Sequence, residues 1–458
     1  MKLKTNIIIG AIFALLLAFV YFYEIKGGQE RRQAAERSKQ LLDFKESEVE
    51  RLALIRPEGS IEVERIEEGQ WRVVLPVEDG ADGEAIARYL RNIAESEREK
   101  VIVDSADARS ADTAARYGLD RPRLGILVET EEGALDTLFF GTDAPTDRYT
   151  YVKQSGSNPE IFVVRAWRYD NLDKSVFDLR DRRVLALSKA EVTEASRAGI
   201  SGPVLLRKEG ANWLLQEPIV ARASTEAVDG LLGKIETSEI SEFVDEAPDG
   251  EALVAYGLDS RAVEWSFRMG QDRVEKRLSI GREDDEGRYY ARDESRPQVF
   301  LVDSTLVYRL TQEVTELRSK KPLQVEPDRI NRMEYRRGPV LIFAAEKDTS
   351  GVWNLQDPPG QKAKSWKLNA LLTDLQSLEA MGFAASQGGE PALNVRLMED
   401  GQSLHYVQFF QRDGEIYLEQ DGDSHAYKID IDVFADIDME LDEVRQIPDP
   451  VDSTRVDE

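Results

Sequence analysis

A Trp–Pro pair that returns twice constrains this sequence more than any other feature. The segment Gly69–Pro76 is Gly-Gln-Trp-Arg-Val-Val-Leu-Pro, and versions of it follow at Ala211–Pro218 and Gly351–Pro358. In each copy the proline stands five residues after the tryptophan, and the tryptophans are 142 and 140 residues apart. A spacing of this size indicates three copies of a domain-sized unit, not a solenoid of short repeats.

The apolar residues of the first unit change their period after the proline. Val49–Ile55, Ser60–Ile66 and Gln70–Leu75 have the length and composition of strands. Apolar residues then follow at helical spacing from Ile86 to Ile93, with Asp82 as the predicted N-cap. More strand-like segments come after the helix. The pattern predicts an α+β fold in which an antiparallel sheet is packed with helices.

Further landmarks relate the second unit to the first. A Tyr-Gly-Leu-Asp segment, an apolar–Gly pair and a Leu-Arg pair recur at offsets of 138 to 140 residues. A shared offset of several landmarks is typical of a duplicated domain. The matching segments are Tyr117–Asp120 with Tyr256–Asp259, Phe140-Gly141 with Ile280-Gly281, and Leu179-Arg180 with Leu317-Arg318.

The third unit is shorter than the other two. It keeps the strand pattern, the Trp–Pro pair and a helix from Leu368 to Leu378, but it has no Tyr-Gly-Leu-Asp, and Gly382–Pro391 takes the place of the longer connection. We therefore predict a reduced repeat. The predicted domains are a transmembrane anchor (1–26), a stalk (27–46), repeat domains 47–188 and 189–324, a reduced repeat domain (325–445) and a disordered tail (446–458).

The first residues have the pattern of a membrane anchor. Lys2 and Lys4 precede an unbroken apolar or small run from Ile7 to Tyr23, which as a helix would span about 26 Å. A cleaved signal peptide is the alternative, but such peptides end on small residues, and this run ends on three aromatic ones. The basic N-terminus favours a single-pass inner-membrane protein with its N-terminus in the cytoplasm and its bulk in the periplasm.

The net charge and the absence of cysteine limit the partners and the kinds of site that this chain can have. The formal net charge of the 458 residues is −27, which argues against nucleic acid as a partner because phosphate neutralisation needs a basic face. The chain has no cysteine, so disulfides, thiol nucleophiles and thiolate metal sites are excluded.

The recurring residues have structural and functional interpretations. Each tryptophan is predicted to end a strand and to pack into the core where helix meets sheet, although an indole can also serve as a platform for carbohydrate. In Tyr-Gly-Leu-Asp the glycine fits the end of a helix in a left-handed conformation, and the leucine fits a buried position. Asp120 and Asp259 are predicted to accept hydrogen bonds in the following turn; a catalytic role is the alternative.

The only two histidines, His405 and His425, are candidate metal ligands together with Asp421 or Asp423. Solvent-facing side chains are the simpler interpretation. The sequence has no phosphate-binding glycine loop, no Gly-x-Ser-x-Gly and no His-Glu-x-x-His. We therefore predict no catalytic, cofactor-binding or metal-binding residues, no cofactor and no enzymatic activity.

Taken together, these motifs resemble the bacterial domain-of-unknown-function family 4340. The resemblance rests on Trp-x-x-x-x-Pro, Tyr-Gly-Leu-Asp, the apolar–Gly pairs, the Tyr-x-Tyr-Val segment at Tyr149–Val152 and Leu-Arg-Asp at Leu179–Asp181. Such proteins typically pair one N-terminal membrane helix with repeated domains outside. They are often encoded beside the permease, ATPase and auxiliary subunits of a transporter that resembles the gliding-motility ABC type.

The resemblance implies an accessory role in a membrane transport assembly. The leading hypothesis is a membrane-anchored extracytoplasmic scaffold or accessory subunit of an ABC-type assembly that acts by protein–protein contact. Its partners would be a membrane complex, such as the permease and auxiliary subunits, and the bilayer itself. The alternative is a cell-envelope enzyme or ligand-binding protein that acts on glycan through paired carboxylates.

Overall fold

The chain divides into two compact units, Met1–Arg183 and Val184–Glu458. The computed structural model describes residues 39–104, 107–134, 137–146, 148–156, 159–199, 201–259, 262–420 and 425–446. Within these ranges no helix is both long enough and apolar enough to cross a bilayer. The predicted anchor at 1–26, most of the predicted stalk, Asp421, Asp423 and the tail from residue 447 lie outside the described residues.

The first unit holds one repeat, an antiparallel sheet with four helices. Asp82 caps the first helix as predicted, since its side chain accepts a hydrogen bond from the N–H of Ala85. The elements are β1 (Val49–Arg56), β2 (Gly59–Glu67), β3 (Gln70–Leu75), β4 (Asp79–Gly80), α1 (Gly83–Ala94), β5 (Lys100–Val103), α2 (Ala111–Arg116), β6 (Leu124–Thr130), β7 (Gly133–Ala134), β8 (Leu138–Asp143), β9 (Tyr149–Gln154), β10 (Glu160–Arg165), α3 (Ala166–Leu172) and α4 (Val176–Leu179).

The second unit holds the other two repeats. The second repeat consists of β11 (Val192–Ala198), β12 (Val204–Glu209), β13 (Asn212–Glu217), β14 (Ala221–Arg222), α5 (Thr225–Thr237), β15 (Glu242–Asp245), α6 (Gly250–Ala255), β16 (Val263–Met269), β17 (Val274–Glu283), β18 (Tyr289–Asp293), β19 (Val299–Val302), α7 (Ser304–Leu310) and α8 (Val314–Leu317).

The third repeat has the same succession of strands with one helix fewer. It consists of β20 (Arg332–Arg337), β21 (Val340–Lys347), β22 (Trp353–Asp357), β23 (Gln361–Lys362), α9 (Ser365–Ser377), β24 (Gly382–Ala385), β25 (Leu393–Glu399), β26 (Gln402–Arg412), β27 (Glu415–Gln420), β28 (His425–Ile429), α10 (Ile431–Ile437) and α11 (Leu441–Val444).

The three sheets share one strand order. It is β4-β3-β2-β1-β6-β8-β9-β10-β5 in the first repeat, β14-β13-β12-β11-β16-β17-β18-β19-β15 in the second and β23-β22-β21-β20-β25-β26-β27-β28-β24 in the third, while the short β7 pairs only with β6. Neighbouring strands are antiparallel throughout. The prediction of three tandem repeats of an antiparallel sheet packed with helices is confirmed.

The tryptophans stand at the beginning of the third strand of each sheet, not at its end as predicted. Trp71 is the second residue of β3, Trp213 the second of β13 and Trp353 the first of β22. The turn glycines just before them reverse the chain, so the tryptophan is the first inward-facing residue after the turn. The proline follows the strand as predicted.

The Tyr-Gly-Leu-Asp segment meets the apolar–Gly pair in space. The carbonyl oxygen of Tyr117 lies so close to β8 that a Cβ at Gly141 would be 2.1 Å from it, and the corresponding distance from Gly281 to the oxygen of Tyr256 would be 2.2 Å. The N–H of Thr142 donates to the Tyr117 oxygen at 3.0 Å. The two motifs therefore recur together because the chain that follows α2 or α6 docks against a strand that must carry glycine there.

The third repeat shows the consequence of losing this contact. Phe409 pairs with Leu393 as Phe140 pairs with Leu124, so Phe410 occupies the position of Gly141. In the described residues no helix lies between β24 and β25, and Phe410 is buried. The third repeat is thus complete in its sheet and lacks only the short helix.

The C-terminal end of each repeat returns to its own sheet. Isolated antiparallel β-bridges join Ala81 to Arg180 and Ala223 to Arg318. A third bridge, from Ala363 to Arg445, shows that Val444-Arg445 is the third copy of the Leu-Arg pair, which the sequence pattern did not reveal. This closure holds the last two short helices of a repeat against its long helix.

Candidate functional site

The recurring tryptophans belong to the cores of the repeats. Trp71, Trp213 and Trp353 are between 0% and 5% exposed, and the indole N–H of Trp353 donates to the side chain of Asn369 at 2.9 Å. The interpretation of these residues as core is confirmed. A ring platform would need an exposed indole face, which these three residues do not offer.

The other candidates from the sequence have local roles. Gly118 and Gly257 have φ values of 67° and 71°, which confirms the predicted left-handed conformation. Leu119 is buried as predicted, whereas Leu258 is only half-buried. Asp120 is exposed, and the carbonyl of Asp259 accepts the N–H of Ala262 at 2.9 Å.

The two histidines lie on different strands of the third sheet. His405 is on β26 and His425 on β28, with β27 between them. Burial lowers the pKa of His405, and the cations Arg222 and Arg329 add to this effect. Across the described residues there is no group of three or more His, Cys, Asp or Glu side chains placed to hold a metal ion.

A groove between the long helix and the two short C-terminal helices recurs in the first two repeats. In the first repeat it has a volume of about 270 Å³, with Arg88 and Asn92 of α1 on one side and Lys174 and Asp178 on the other. Tyr89 lies in the groove, and its hydroxyl donates to the carbonyl of Leu172 at 2.7 Å. Burial of the hydroxyl raises the pKa of Tyr89 well above its usual range.

The corresponding cleft of the second repeat is larger, about 810 Å³. Ala227 of α5 takes the place of Ala85, and Gly230 takes the place of Arg88, so the long helix presents no side chain there. Gln312 and Glu316 stand opposite in the positions of Lys174 and Asp178. We name this space the second-repeat cleft. It is lined by residues of β12, β13, β14, α5, α7 and α8, by Gln312, by the segment 318–324 and by Glu379.

The segment after α8 forms one wall of this cleft and is held in place at several points. The guanidinium of Arg318 lies 4.0 Å from the ring centre of Phe383 and 4.8 Å from that of Tyr427. The carbonyl of Lys320 accepts the N–H of Ala380 at 2.8 Å. Because the main chain is fixed in this way, the side chains of this segment project from a defined surface.

In the third repeat an ion pair stands at the corresponding position. Lys367 and Glu443, which correspond to Ala227 and Glu316, form an ion pair with 3.4 Å between Nζ and Oε2. The ion pair spans the space that is open in the second repeat. The groove is therefore a property of the fold that each repeat fills to a different extent.

The sequence carried one signal for the cleft, and it was missed. Gly230 stands inside an amphipathic helix, where glycine costs about 1 kcal/mol relative to alanine. Here the glycine leaves open space, since a Cβ added to it would meet no atom within 4 Å.

Comparison with solved structures gives distant matches. A protein described as a DNA polymerase III beta subunit from Eubacterium rectale is 8% identical over 86% of this chain and 94% of its own, with a TM-score of 0.15. A DNA polymerase sliding clamp from Pseudomonas aeruginosa has the same identity and coverage with a TM-score of 0.13. Scores this low support no statement about the fold or function of this chain.

No curated protein matches the chain. A family model for a domain of unknown function, DUF4340, matches residues 71–216 and again residues 213–396. The two matches begin at Trp71 and Trp213, so the family unit runs from the third strand of one repeat into the third strand of the next, or beyond it. The chain belongs to the DUF4340 family.

Proposed function

We propose that this chain is a membrane-anchored extracytoplasmic scaffold, an accessory subunit of an ABC-type transport assembly, and that it acts by protein–protein contact. The observation that carries the proposal is the groove that recurs at one address in the first two repeats with different linings. Small-molecule sites are mostly apolar cavities with a few polar groups. These grooves are lined by charged and amide side chains of both repeats, which suits contact with segments of other proteins.

The start of the described chain supports attachment close to a membrane. Leu41 and Leu42, which fall in the predicted stalk, are buried in the core of the first repeat. Between the end of the apolar run at Tyr23 and Leu41 the chain can span at most about 60 Å. An anchor at 7–23 would therefore hold the first repeat near the bilayer, where the subunits of a transporter lie. The identity of that transporter as ABC-type rests on the family resemblance.

Copurification tests the proposal. The tagged full-length chain is extracted from its own membranes in a mild detergent, and the recovered proteins are identified by mass spectrometry beside a tagged, unrelated single-span protein. We expect permease or auxiliary transporter subunits only with the chain. Recovery of the chain alone, from membranes in which the subunits are present, contradicts the proposal.

The side of the membrane is tested separately. Protease added to intact spheroplasts is expected to digest the three repeats and to leave the short N-terminal segment protected. Digestion only after lysis would place the repeats in the cytoplasm and contradict the extracytoplasmic location.

Glycan processing is the second candidate, and one observation favours it. The second-repeat cleft is lined by Glu209, Glu226, Glu316 and Glu379, and glycosidases use pairs of carboxylates. Release of reducing sugars from purified cell-wall glycan that is lost when either of two of these glutamates is replaced by Gln, and retained when the others are, would support it. No release by the full-length chain would remove it.

A further inference from the structure

The second-repeat cleft gathers cations in a protein that is strongly acidic. Arg222, Arg309, Lys320 and Lys321 line it, and none of the four forms an ion pair with another described residue. The full chain has 60 Arg and Lys against 87 Asp and Glu, so carboxylates are in excess elsewhere. The lining also holds four glutamates, but none of them forms an ion pair with these four cations, which can therefore pair with carboxylates of a ligand.

A buried amide adds a second requirement. Gln312 lines the cleft and is only 8% exposed. Its Nε2 donates to Oε2 of Glu316 at 3.3 Å, which fixes the orientation of the amide. Its Oε1 accepts no hydrogen bond from any described residue. Oε1 has almost no accessible surface, and a buried acceptor without a donor costs free energy, so a small movement of the side chain that brings Oε1 to a ligand N–H would be favourable.

The glutamates of the lining narrow the class of ligand further. Glu209, Glu226 and Glu379 stand in the same cleft as the four cations, so a small, dense polyanion such as phosphate would meet repulsion as well as attraction. A peptide carries its carboxylates on separate side chains and its N–H groups on the main chain. It can therefore satisfy the cations and Gln312 at different points.

We propose that the second-repeat cleft binds an extended, acidic peptide segment of a partner protein. Carboxylates of the segment pair with Lys320, Lys321 and Arg309 at the rim, and a main-chain N–H donates to Oε1 of Gln312 inside. The missing side chain at Gly230 provides the space in which the segment lies. This inference rests on the proposed function, because it names the kind of partner that the scaffold contacts.

Binding of a synthetic probe tests the charge requirement. The probe is a blocked decapeptide that alternates glutamate and serine, titrated against the full-length chain in detergent at low salt. We expect saturable binding that salt weakens. Lys320→Gln with Lys321→Gln should weaken binding about tenfold, the loss of roughly 0.7 kcal/mol for each exposed pair. The matched control, Lys39→Gln with Lys100→Gln, removes the same charge from the first repeat and should leave the affinity unchanged.

A variant that fills the cleft separates binding from folding. Gly230→Gln improves the helix propensity of α5 and directs a side chain into the cleft from a Cβ position that has no protein atom within 4 Å. We expect a chain at least as stable as the wild type with binding of the decapeptide lost. Retained binding in this variant, or equal weakening by the control lysine pair, overturns the proposal. So does inorganic phosphate that competes as well as the peptide does.

The source of the segment is tested in the same assay. The chain's own residues 446–458 are acidic, with Asp449, Asp452, Asp457 and Glu458. If their conversion to Asn and Gln raises the affinity for the decapeptide, the tail occupies the cleft and a partner segment does not. Equal affinity supports the partner. If transporter subunits copurify with both the wild type and the Gly230→Gln variant, the peptide site fails while the proposed scaffold function stands.

Discussion

At Gly141 and Gly281 a carbonyl oxygen stands where a side chain would begin. The oxygens of Tyr117 and Tyr256 would lie 2.1 and 2.2 Å from a Cβ at these positions, which no alanine can tolerate without movement of the main chain. Neither glycine has the positive φ that would by itself require it. Close approach of two backbone segments is the reason for the residue.

Gly281→Ala is therefore expected to destabilise the second unit by about 3 kcal/mol, at the upper end of overpacking effects. The matched control is Gly230→Ala in the same repeat, where the new methyl group meets nothing and helix propensity should add about 1 kcal/mol. Both are measured by denaturant unfolding of the full-length chain. Equal effects of the two substitutions would show that the contact with Tyr256 does not require glycine.

One charged position on the first strand of the sheet keeps its contacts with both neighbouring strands but differs in sign between the first two repeats. Arg51 of β1 donates to Glu62 of β2 at 2.7 Å and to Glu129 of β6 at 3.2 Å. The equivalent position of the second repeat is Glu194, which accepts from Arg207 of β12 and from Arg268 of β16. The signs are reversed and the connection across three strands is kept, which explains why these positions do not appear as a repeat in the sequence.

At the scale of elements, the sequence predicted the strand bounds that depend on a local pattern of residues. β3 has the predicted bounds, Gln70–Leu75, because alternation and flanking turn residues are local features of the sequence. The prediction that the tryptophan ends its strand was wrong, because the sequence pattern did not show on which side of the turn the indole lies.

The grooves could not be predicted in the same way. They form between helices about 80 residues apart in the chain, and their width depends on whether position 88 or its equivalent carries Arg or Gly. Likewise, the sequence shows that the third repeat lacks Tyr-Gly-Leu-Asp, but the equivalence of Phe410 to Gly141 emerges only from strand pairing.

His405 on β26 makes an element-level prediction about pH. Burial lowers its pKa below the ordinary 6.5, and Arg222 and Arg329 add to this, while a hydrogen bond with the backbone of Gln324 and the charge of Glu326 oppose it. The unfolded chain therefore binds the proton more tightly than the folded one. Its contribution to stability is fully present above pH 6.5 and decreases as the pH falls from there through the folded pKa.

We expect His405→Gln to reduce the loss of unfolding free energy between about pH 7.5 and 5.5, a window set by the ordinary histidine pKa. The control, His425→Gln, keeps His405 and should lose stability with falling pH as the wild type does. Stability is measured by denaturant unfolding at each pH. A larger loss in His405→Gln than in the wild type would contradict the sign of the pKa shift.

At the scale of the molecule, the side chain of Arg318 links the two repeats of the second unit. Arg318 closes the second repeat through its bridge to Ala223, and its guanidinium packs against Phe383 and Tyr427 of the third. It is only 2% exposed. A planar cation stacked on two rings in a buried place couples the repeats in a way that an aliphatic ammonium cannot reproduce.

Arg318→Ala is expected to destabilise the second unit by about 3 kcal/mol, since both the cation–ring contacts and the packing of the stem are lost. Arg318→Lys keeps the charge and part of the stem. If the contact of the guanidinium with the rings dominates, this variant should recover less than half of the unfolding free energy that Arg318→Ala loses. Hydrogen exchange on the full-length chain then distinguishes coupling from local damage. Loss of protection in β24 and β28 as well as in α8 shows that the two repeats are stabilised together, whereas loss confined to α8 would mean that Arg318 serves the second repeat alone.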